Sequence, residues 1–130
     1  MTCDAEFLAE VNHALCGARF NAVFIVKFSA SLEFMSDTHN YRIDLGGWLS
    51  SSPAPAIDRQ AEGYEFASVA GPLIGRDLIG IFYDEGIYRL SFSEGGVLYA
   101  GHWPEDARDD HILLVTNVGH DAPFTWGILD

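Results

Sequence analysis

The spacing of three of the five histidines is the first feature of this chain that suggests chemistry, because it could hold a metal ion. His102, His111 and His120 lie nine residues apart, and Asp106, Asp109, Asp110 and Asp121 are close by. Structural zinc sites are usually built from ligands much closer together in the sequence. Because the chain has no such pair of histidines or cysteines, we expect neither a specific metal site nor a cofactor.

Nucleophilic catalysis would need a cysteine beside a base, and Cys16 has His13 three residues earlier, within reach on a helix. The same pair is also typical of a small buried cysteine next to a histidine at a helix end. Asp84 and Glu85 precede a glycine, which is the chemistry of a hairpin turn. The glycines at 71 and 75 lack the lysine of a phosphate-binding loop. None of these patterns amounts to a catalytic motif.

The charge of the chain limits its partners more strongly than any motif. Nineteen acidic and seven basic residues give a net charge of −12, and residues 104–130 alone hold six acids and one base. Such a surface repels nucleic-acid phosphates and anionic membranes. It attracts basic proteins and speeds encounter with them. We therefore expect a basic protein as partner, with no nucleic acid and no membrane.

Length and composition indicate one folded domain over residues 1–130, because 48% of the residues are hydrophobic. No apolar run approaches the roughly 20 residues that a membrane-spanning helix needs. The N-terminus lacks the basic and apolar regions of a signal peptide, and two cysteines are too few for a disulfide scaffold. We expect a cytoplasmic protein with free thiols.

An internal repeat organises the chain. Residues 73–99 align without a gap on residues 15–41, at an offset of 58, with six identities in 27 positions where composition predicts roughly two. The identical pairs are Leu15 and Leu73, Gly17 and Gly75, Phe24 and Phe82, Leu32 and Leu90, Phe34 and Phe92, and Tyr41 and Tyr99. The alignment predicts two halves, about 15–45 and 73–101, with the same topology.

Apolar alternation and turn residues predict an α+β fold dominated by strands. Two antiparallel three-stranded meanders are expected, at 20–28, 32–35 and 41–45, and at 78–83, 87–92 and 97–101. A C-terminal hairpin is expected from 111–118 and 124–129. A short helix is expected over 4–15 and a second within 57–73, while 46–56 reads as a surface loop.

The apolar pattern also predicts which residues are buried. The almost wholly apolar run 20–28 is typical of a central strand covered on both faces. Phe24 and Phe82 are expected at matching buried positions, and so are Phe34 and Phe92.

The repeated element resembles small bacterial immunity proteins of contact-dependent and related polymorphic toxin systems. Leucine, glycine and two apolar residues at fixed spacing are followed by a Leu-x-Phe strand and a short turn. The residues that carry this resemblance are Leu73, Gly75, Leu78, Ile81, Leu90, Phe92, Glu94, Gly95 and Gly96. The resemblance implies a cytoplasmic, β-rich protein, not an enzyme, that binds and neutralises one cognate toxin domain.

The concentration of acids near the C-terminus selects the candidate binding residues. Trp103 is expected to be buried against the partner if it is exposed in the free protein, and to belong to the core otherwise. Acidic residues are expected to steer the partner; these are Glu105, Asp106, Asp109 and Asp110, with Glu62 and Glu65 as a second patch.

Two alternatives remain open from the sequence. One is a small-ligand binding module or an enzyme that uses His102, His111 or His120 in a cavity between the meanders. The other is a subunit that associates weakly with itself through an exposed strand edge.

Overall fold

The fold contains two antiparallel sheets, of five and four strands, and two short helices. The computed structural model describes residues 5–26, 29–37, 39–55, 63–103, 112–117 and 124–129. The predicted α+β class, dominated by strands, is confirmed. In chain order the elements are α1 (Ala5–Leu15), β1 (Arg19–Val26), β2 (Ser29–Met35), β3 (Asn40–Leu45), β4 (Trp48–Ser50), α2 (Gly63–Ala70), β5 (Leu78–Asp84), β6 (Ile87–Phe92), β7 (Val97–Gly101), β8 (Leu113–Asn117) and β9 (Phe124–Leu129).

Each half of the chain forms one three-stranded meander, and its fourth strand pairs in the sheet of the other half. The first sheet has the order β1-β2-β3-β8-β9, and the second has the order β4-β7-β6-β5. Strand β4 follows β3 along the chain but pairs with β7, while β8 follows β7 but pairs with β3. The two predicted meanders and the C-terminal hairpin of β8 and β9 are therefore present. The exchange of strands ties the halves together.

The repeat is visible in the strand register. The β1–β2 and β5–β6 hairpins have the same pairing at an offset of 58, with a bulge at the same place. Equivalent pairs are Phe20–Phe34 and Leu78–Phe92, and Val23–Leu32 and Ile81–Leu90. The predicted common topology of the halves is confirmed for these hairpins.

The offset changes in the third strand of each meander. Ile43 lies opposite Leu32, whereas Leu98 lies opposite Leu90, so the equivalent residues here are 98 − 43 = 55 apart. The cause is a tighter turn before β7: five residues separate the paired residues Ser91 and Val97, whereas eight separate the equivalent Glu33 and its partner Arg42. The predicted equivalence of Tyr41 and Tyr99 is therefore wrong, and the counterpart of Tyr99 is Asp44.

The helices repeat as well. Helix α1 and the segment formed by α2 and the 3-10 turn Gly71–Leu73 are related by the offset of 58. Each segment is followed by a glycine in the left-handed region, Gly17 at φ 87° and Gly75 at φ 97°, which a residue with a side chain rarely adopts. Helix α1 packs on β5 and α2 packs on β1, so each helix lies against the opposite half. Neither described helix is long and apolar enough to cross a membrane.

A short antiparallel junction joins the first strands of the two halves. It is centred on the bridge between Arg19 and Asp77. Four backbone hydrogen bonds flank this bridge as two reciprocal pairs: Gly17 N–H to Leu78 O at 2.7 Å and Gly75 N–H to Phe20 O at 2.8 Å, and Phe20 N–H to Arg76 O at 2.9 Å and Leu78 N–H to Ala18 O at 2.8 Å. Each bond has its counterpart 58 residues away, as a local two-fold axis requires.

Aromatic rings from both sheets meet beside this junction. The ring centroid of Phe20 lies 5.3 Å from that of Phe34 and 5.6 Å from that of Phe92, while the Phe34 and Phe92 centroids are 6.2 Å apart. All three residues are fully buried, so the predicted burial of Phe34 and Phe92 at matching positions is confirmed. In the same core, burial raises the pKa of the Tyr41 phenol.

Three expectations about burial and strands are wrong. Strand β1 lies at a sheet edge instead of the centre. Helix α2 packs on part of this strand, which accounts for so apolar a sequence at an edge. Phe24 and Phe82 occupy matching positions but are 40% and 45% exposed, since both lie on the outer faces of the sheets. Residues 46–56 are not all loop, because Trp48–Ser50 form the buried strand β4.

The edge of β5 is protected by one side chain from α1. The Asn12 side chain accepts a hydrogen bond from Ile81 N–H at 2.6 Å and donates one to Ile81 O at 2.8 Å. It therefore satisfies both backbone groups that an edge strand would otherwise leave open. At the equivalent position of α2 stands Ala70, which cannot do the same.

The Asn12 cap generates a prediction about stability. Asn12→Ala should lower the free energy of unfolding by about 1–3 kcal/mol, because two backbone groups of Ile81 lose their partner. Urea unfolding measures the loss, and amide exchange at Ile81 should accelerate. His13→Ala, at the next and exposed position, is the control and should change neither; an equal loss in both variants would contradict the role of Asn12.

The buried and exposed phenylalanine pairs generate a second prediction. Phe34→Ala and Phe92→Ala should each cost about 3–5 kcal/mol in urea unfolding, because each leaves a cavity in the shared core. Phe24→Ala and Phe82→Ala are matched controls at half-exposed positions and should cost about 1 kcal/mol, the value of a stacked arginine. Losses of the same size in all four variants would contradict the assigned burial.

Candidate functional site

A row of four side chains crosses the outer face of the second sheet. Phe82 of β5 lies opposite Arg89 of β6, Arg89 lies opposite Tyr99 of β7, and Tyr99 lies opposite Ser50 of β4. Because side chains of directly opposed residues in a sheet share one face, the row brings a cation between two aromatic residues.

Two neighbours fix the ring of Phe82. The Arg89 guanidinium carbon lies 4.7 Å from the ring centroid, which is a cation–π contact. On the same strand, the ring lies over Gly80, where a Cβ atom would come within 3.1 Å of the Phe82 Cζ atom. The absence of a side chain at Gly80 therefore lets the ring lie along the strand and form a wall.

The row borders an open cleft of about 400 Å³, which we call the Arg89 cleft. Its lining combines aromatic and apolar walls with one cation and one carboxylate. The lining residues are Pro53, Phe82, Tyr83, Asp84, Ile87, Arg89 and Tyr99. Ligand sites are typically concave and mostly apolar with a few polar groups, and this volume lies within their usual range.

The polar groups of the Arg89 cleft have no partner among the described residues. Arg89 stacks on Phe82 but makes no hydrogen bond or ion pair there, and Asp84 and the Tyr99 hydroxyl also have none. Five N–H donors, one hydroxyl and one carboxylate therefore remain free for a ligand.

The first half of the chain offers an internal comparison. Its equivalent row is Phe24, Ser31, Asp44 and Leu114. There the Ser31 hydroxyl donates a hydrogen bond to the Asp44 carboxylate, and the Arg42 guanidinium lies 4.4 Å above the Phe24 ring.

The two rows therefore share a phenylalanine under an arginine but differ in their polar groups. Those of the first row satisfy each other, whereas those of the second remain open. Sequence reasoning missed Arg89 and Tyr99 as site residues. The replacement of Ser31 by Arg89 at the offset of 58 was the signal that could have found the cleft.

The turn beside the cleft holds a glutamate in an unfavourable conformation. The β5–β6 hairpin closes through Glu85 at φ 47° and Gly86 at φ 84°, a type I′ arrangement whose first position favours asparagine, aspartate or glycine. Glu94, at φ 62°, is the other non-glycine with positive φ in the described chain, and Arg76 lies 3.9 Å from its carboxylate. Glu85 has no such partner among the described residues.

Further exposed acids lie toward the same end of the sheet. Cys16 donates its thiol hydrogen to Ile79 O, and Asn12 binds Ile81, so α1 runs antiparallel to β5. The two elements advance by similar distances between these contacts, which directs the first turn of α1 toward the end of β5. The exposed residues Glu6, Glu10, Asp84 and Glu85 together form what we call the acidic end.

Most of the predicted partner-binding residues lie outside the described part of the chain. These are Glu62, Glu105, Asp106, Asp109 and Asp110. Glu65 lies in the first turn of α2 and is half-buried. Trp103 is 8% exposed and belongs to the core, which meets the second of the two conditions set by the sequence.

The histidines and cysteines give no cluster in the described residues. His102 is half-buried, and both of its ring nitrogens are buried without a hydrogen-bond partner, while His111 and His120 lie outside the described part. No group of three metal-binding side chains occurs in the ranges that the structure describes. Cys16 is exposed instead of buried. Its thiol donates a hydrogen bond to Ile79 O in β5.

Comparisons with known proteins return no match. No family model, no curated protein and no solved structure is similar to this chain at a significant level.

The burial of Trp103 generates a prediction about stability. Trp103→Ala should lower the free energy of unfolding by about 3–5 kcal/mol, because a large core side chain leaves a cavity. Thermal and urea unfolding measure the loss. Trp103→Phe keeps most of the apolar volume and should lose much less. A Trp103→Ala variant as stable as the unaltered protein would contradict the core position.

Proposed function

We propose that this chain is a protein-binding module for a basic partner, and specifically an immunity protein that neutralises a cognate toxin domain in the bacterial cytoplasm. On this proposal its task is binding and not catalysis. The observation that carries the proposal is Glu85, which occupies a left-handed turn position and whose carboxylate has no partner among the described residues. Backbone strain of this kind is retained mainly where it serves a function.

The surroundings of Glu85 support an interface. The acidic end lies beside the Arg89 cleft, whose walls include the exposed ring of Phe82 and the half-buried ring of Tyr99. Protein interfaces commonly combine aromatic residues at the centre with charged residues at the rim. The net charge of −12 adds a long-range attraction for a basic partner.

Self-association through the free edge of a sheet remains a weaker candidate. Two copies of a chain that carries −12 each repel one another, which opposes pairing of their edges. The open cleft favours a different second candidate, the binding of a small ligand.

Association kinetics test the proposed partner. The partner is the toxin domain encoded next to this protein, co-purified with it and then mixed with it at about 50 and 300 mM salt. Replacing four of the acids predicted to steer the partner (E105Q, D106N, D109N and D110N) or three acids of the acidic end (E6Q, E10Q and E85Q) should slow association at low salt and flatten its salt dependence. Unchanged association rates in both variants would remove the acidic surfaces from the interface. Failure of the neighbouring domain to bind would contradict the immunity role.

Glu85→Asn separates a role in binding from a role in folding. Asparagine tolerates the left-handed conformation, so the free energy of unfolding of the variant should be higher by about 0.5–1 kcal/mol. It should nevertheless associate more slowly, because one carboxylate of the rim is lost. A variant that is more stable and binds at the original rate would show that Glu85 has no part in the interface.

A further inference from the structure

The polar groups of the Arg89 cleft restrict the charge of any ligand that it can hold. A purely cationic ligand would meet the Arg89 guanidinium, which forms no ion pair in the part of the chain that the structure describes. A purely anionic ligand would meet the Asp84 carboxylate and the field of a protein with a net charge of −12. A zwitterion carries one positive and one negative group and has no net charge. It could therefore bind Arg89 with its negative group and Asp84 with its positive group at the same time.

The strand register sets the size of that ligand. Asp84 lies opposite Ile87, two residues from Arg89 on the same face, so Asp84 and Arg89 are diagonal neighbours. Diagonal neighbours in a sheet are about 7–8 Å apart, a distance that a long side chain can span. Arg89 and Asp84 nevertheless form no ion pair within the described residues, and the Arg89 guanidinium lies over the Phe82 ring instead. The two charged groups therefore border a space that suits a small molecule whose carboxylate and ammonium are separated by one carbon.

The walls of the cleft indicate which side chain the ligand carries. Phe82 is held as a flat surface by Gly80 and Arg89, and Tyr99, Ile87 and Pro53 add further apolar contact. Such walls fit a flat or branched apolar side chain. Tyr99 lies opposite Arg89 in the row and lines the same cleft, and its hydroxyl can supply a second donor for a carboxylate.

We infer that the Arg89 cleft is a binding site for a free amino acid with an apolar side chain. Arg89 and Tyr99 bind its carboxylate, Asp84 binds its ammonium, and Phe82 contacts its side chain. The equivalent row of the first half cannot do this, because Asp44 already accepts a hydrogen bond from Ser31 and no arginine stands between the aromatic residue and the acid. The walls of the cleft also border the proposed protein interface, but the inference concerns the protein alone and is tested without the partner.

Four related probes test the inference by calorimetry or by amide chemical shifts. L-phenylalanine carries both charges, phenylalaninamide lacks the carboxylate, 3-phenylpropionate lacks the ammonium, and N-acetylphenylalaninamide lacks both. L-phenylalanine should bind one site with a dissociation constant below about 1 mM. Each of the other three should bind about tenfold more weakly or worse, because each leaves a charged group of the cleft unpaired.

Two variants test which residue of the cleft binds the carboxylate of the ligand and which binds its ammonium. In Arg89→Gln, L-phenylalanine should lose its advantage over phenylalaninamide but keep its advantage over 3-phenylpropionate. In Asp84→Asn the reverse should hold. Two controls should keep both preferences: Arg42→Gln, which alters the arginine of the other row, and Glu85→Gln, which removes the same charge from the neighbouring residue outside the cleft lining. Circular dichroism checks that each variant is folded.

The inference would be overturned by no binding of L-phenylalanine up to about 10 mM, by equal binding of all four probes, or by equal loss of binding in Arg89→Gln and Arg42→Gln. Tighter binding of N-acetylphenylalaninamide than of L-phenylalanine would also overturn it, since it would point to a peptide backbone as the ligand. Binding of a toxin domain could succeed or fail in each case without changing these outcomes.

Discussion

The short antiparallel junction between the first strands of the two halves is the constraint on which the rest of the structure depends. Its four hydrogen bonds use backbone groups at or just before the starts of β1 and β5, and every bond is matched by a second one related by the local two-fold axis. The left-handed glycines Gly17 and Gly75 turn the chain into the junction directly after each helical segment. Once the two strands are joined there, their hairpins must extend in opposite directions, one into each sheet.

This arrangement explains why neither half is complete alone. The fourth strand of each half pairs in the other sheet, and each helix covers the first strand of the other half. The packed rings of Phe20, Phe34 and Phe92 lie where the two sheets meet, so the core belongs to both halves. The outer faces of the two sheets take no part in this shared core, and they differ in their polar groups. Ser31 of the first half corresponds to Arg89 of the second half. The polar groups of the first row therefore bind each other, whereas those of the second row border an open cleft.

Local signals determined how much of this could be predicted. Strands 87–92 and 97–101 were predicted at their observed bounds, because glycine-rich turns mark their ends and alternation marks their faces. Strand Trp48–Ser50 was missed, because its neighbours are glycine, serine and proline and only pairing with β7 makes it a strand. The cleft was not predictable from one strand, since Phe82 and Tyr99 become neighbours of the same arginine only through the register of three strands.

Native-state hydrogen exchange at the junction tests the account most directly. The amides of Gly17, Phe20, Gly75 and Leu78 donate the four bonds that join the halves. If the junction holds the fold together, all four should exchange only through global unfolding, as slowly as the best-protected amides of β2 and β6. The two members of each symmetric pair should also behave alike. Exchange of these four amides about a hundredfold faster than those of β2 and β6 would contradict the account, because the halves would then separate without unfolding.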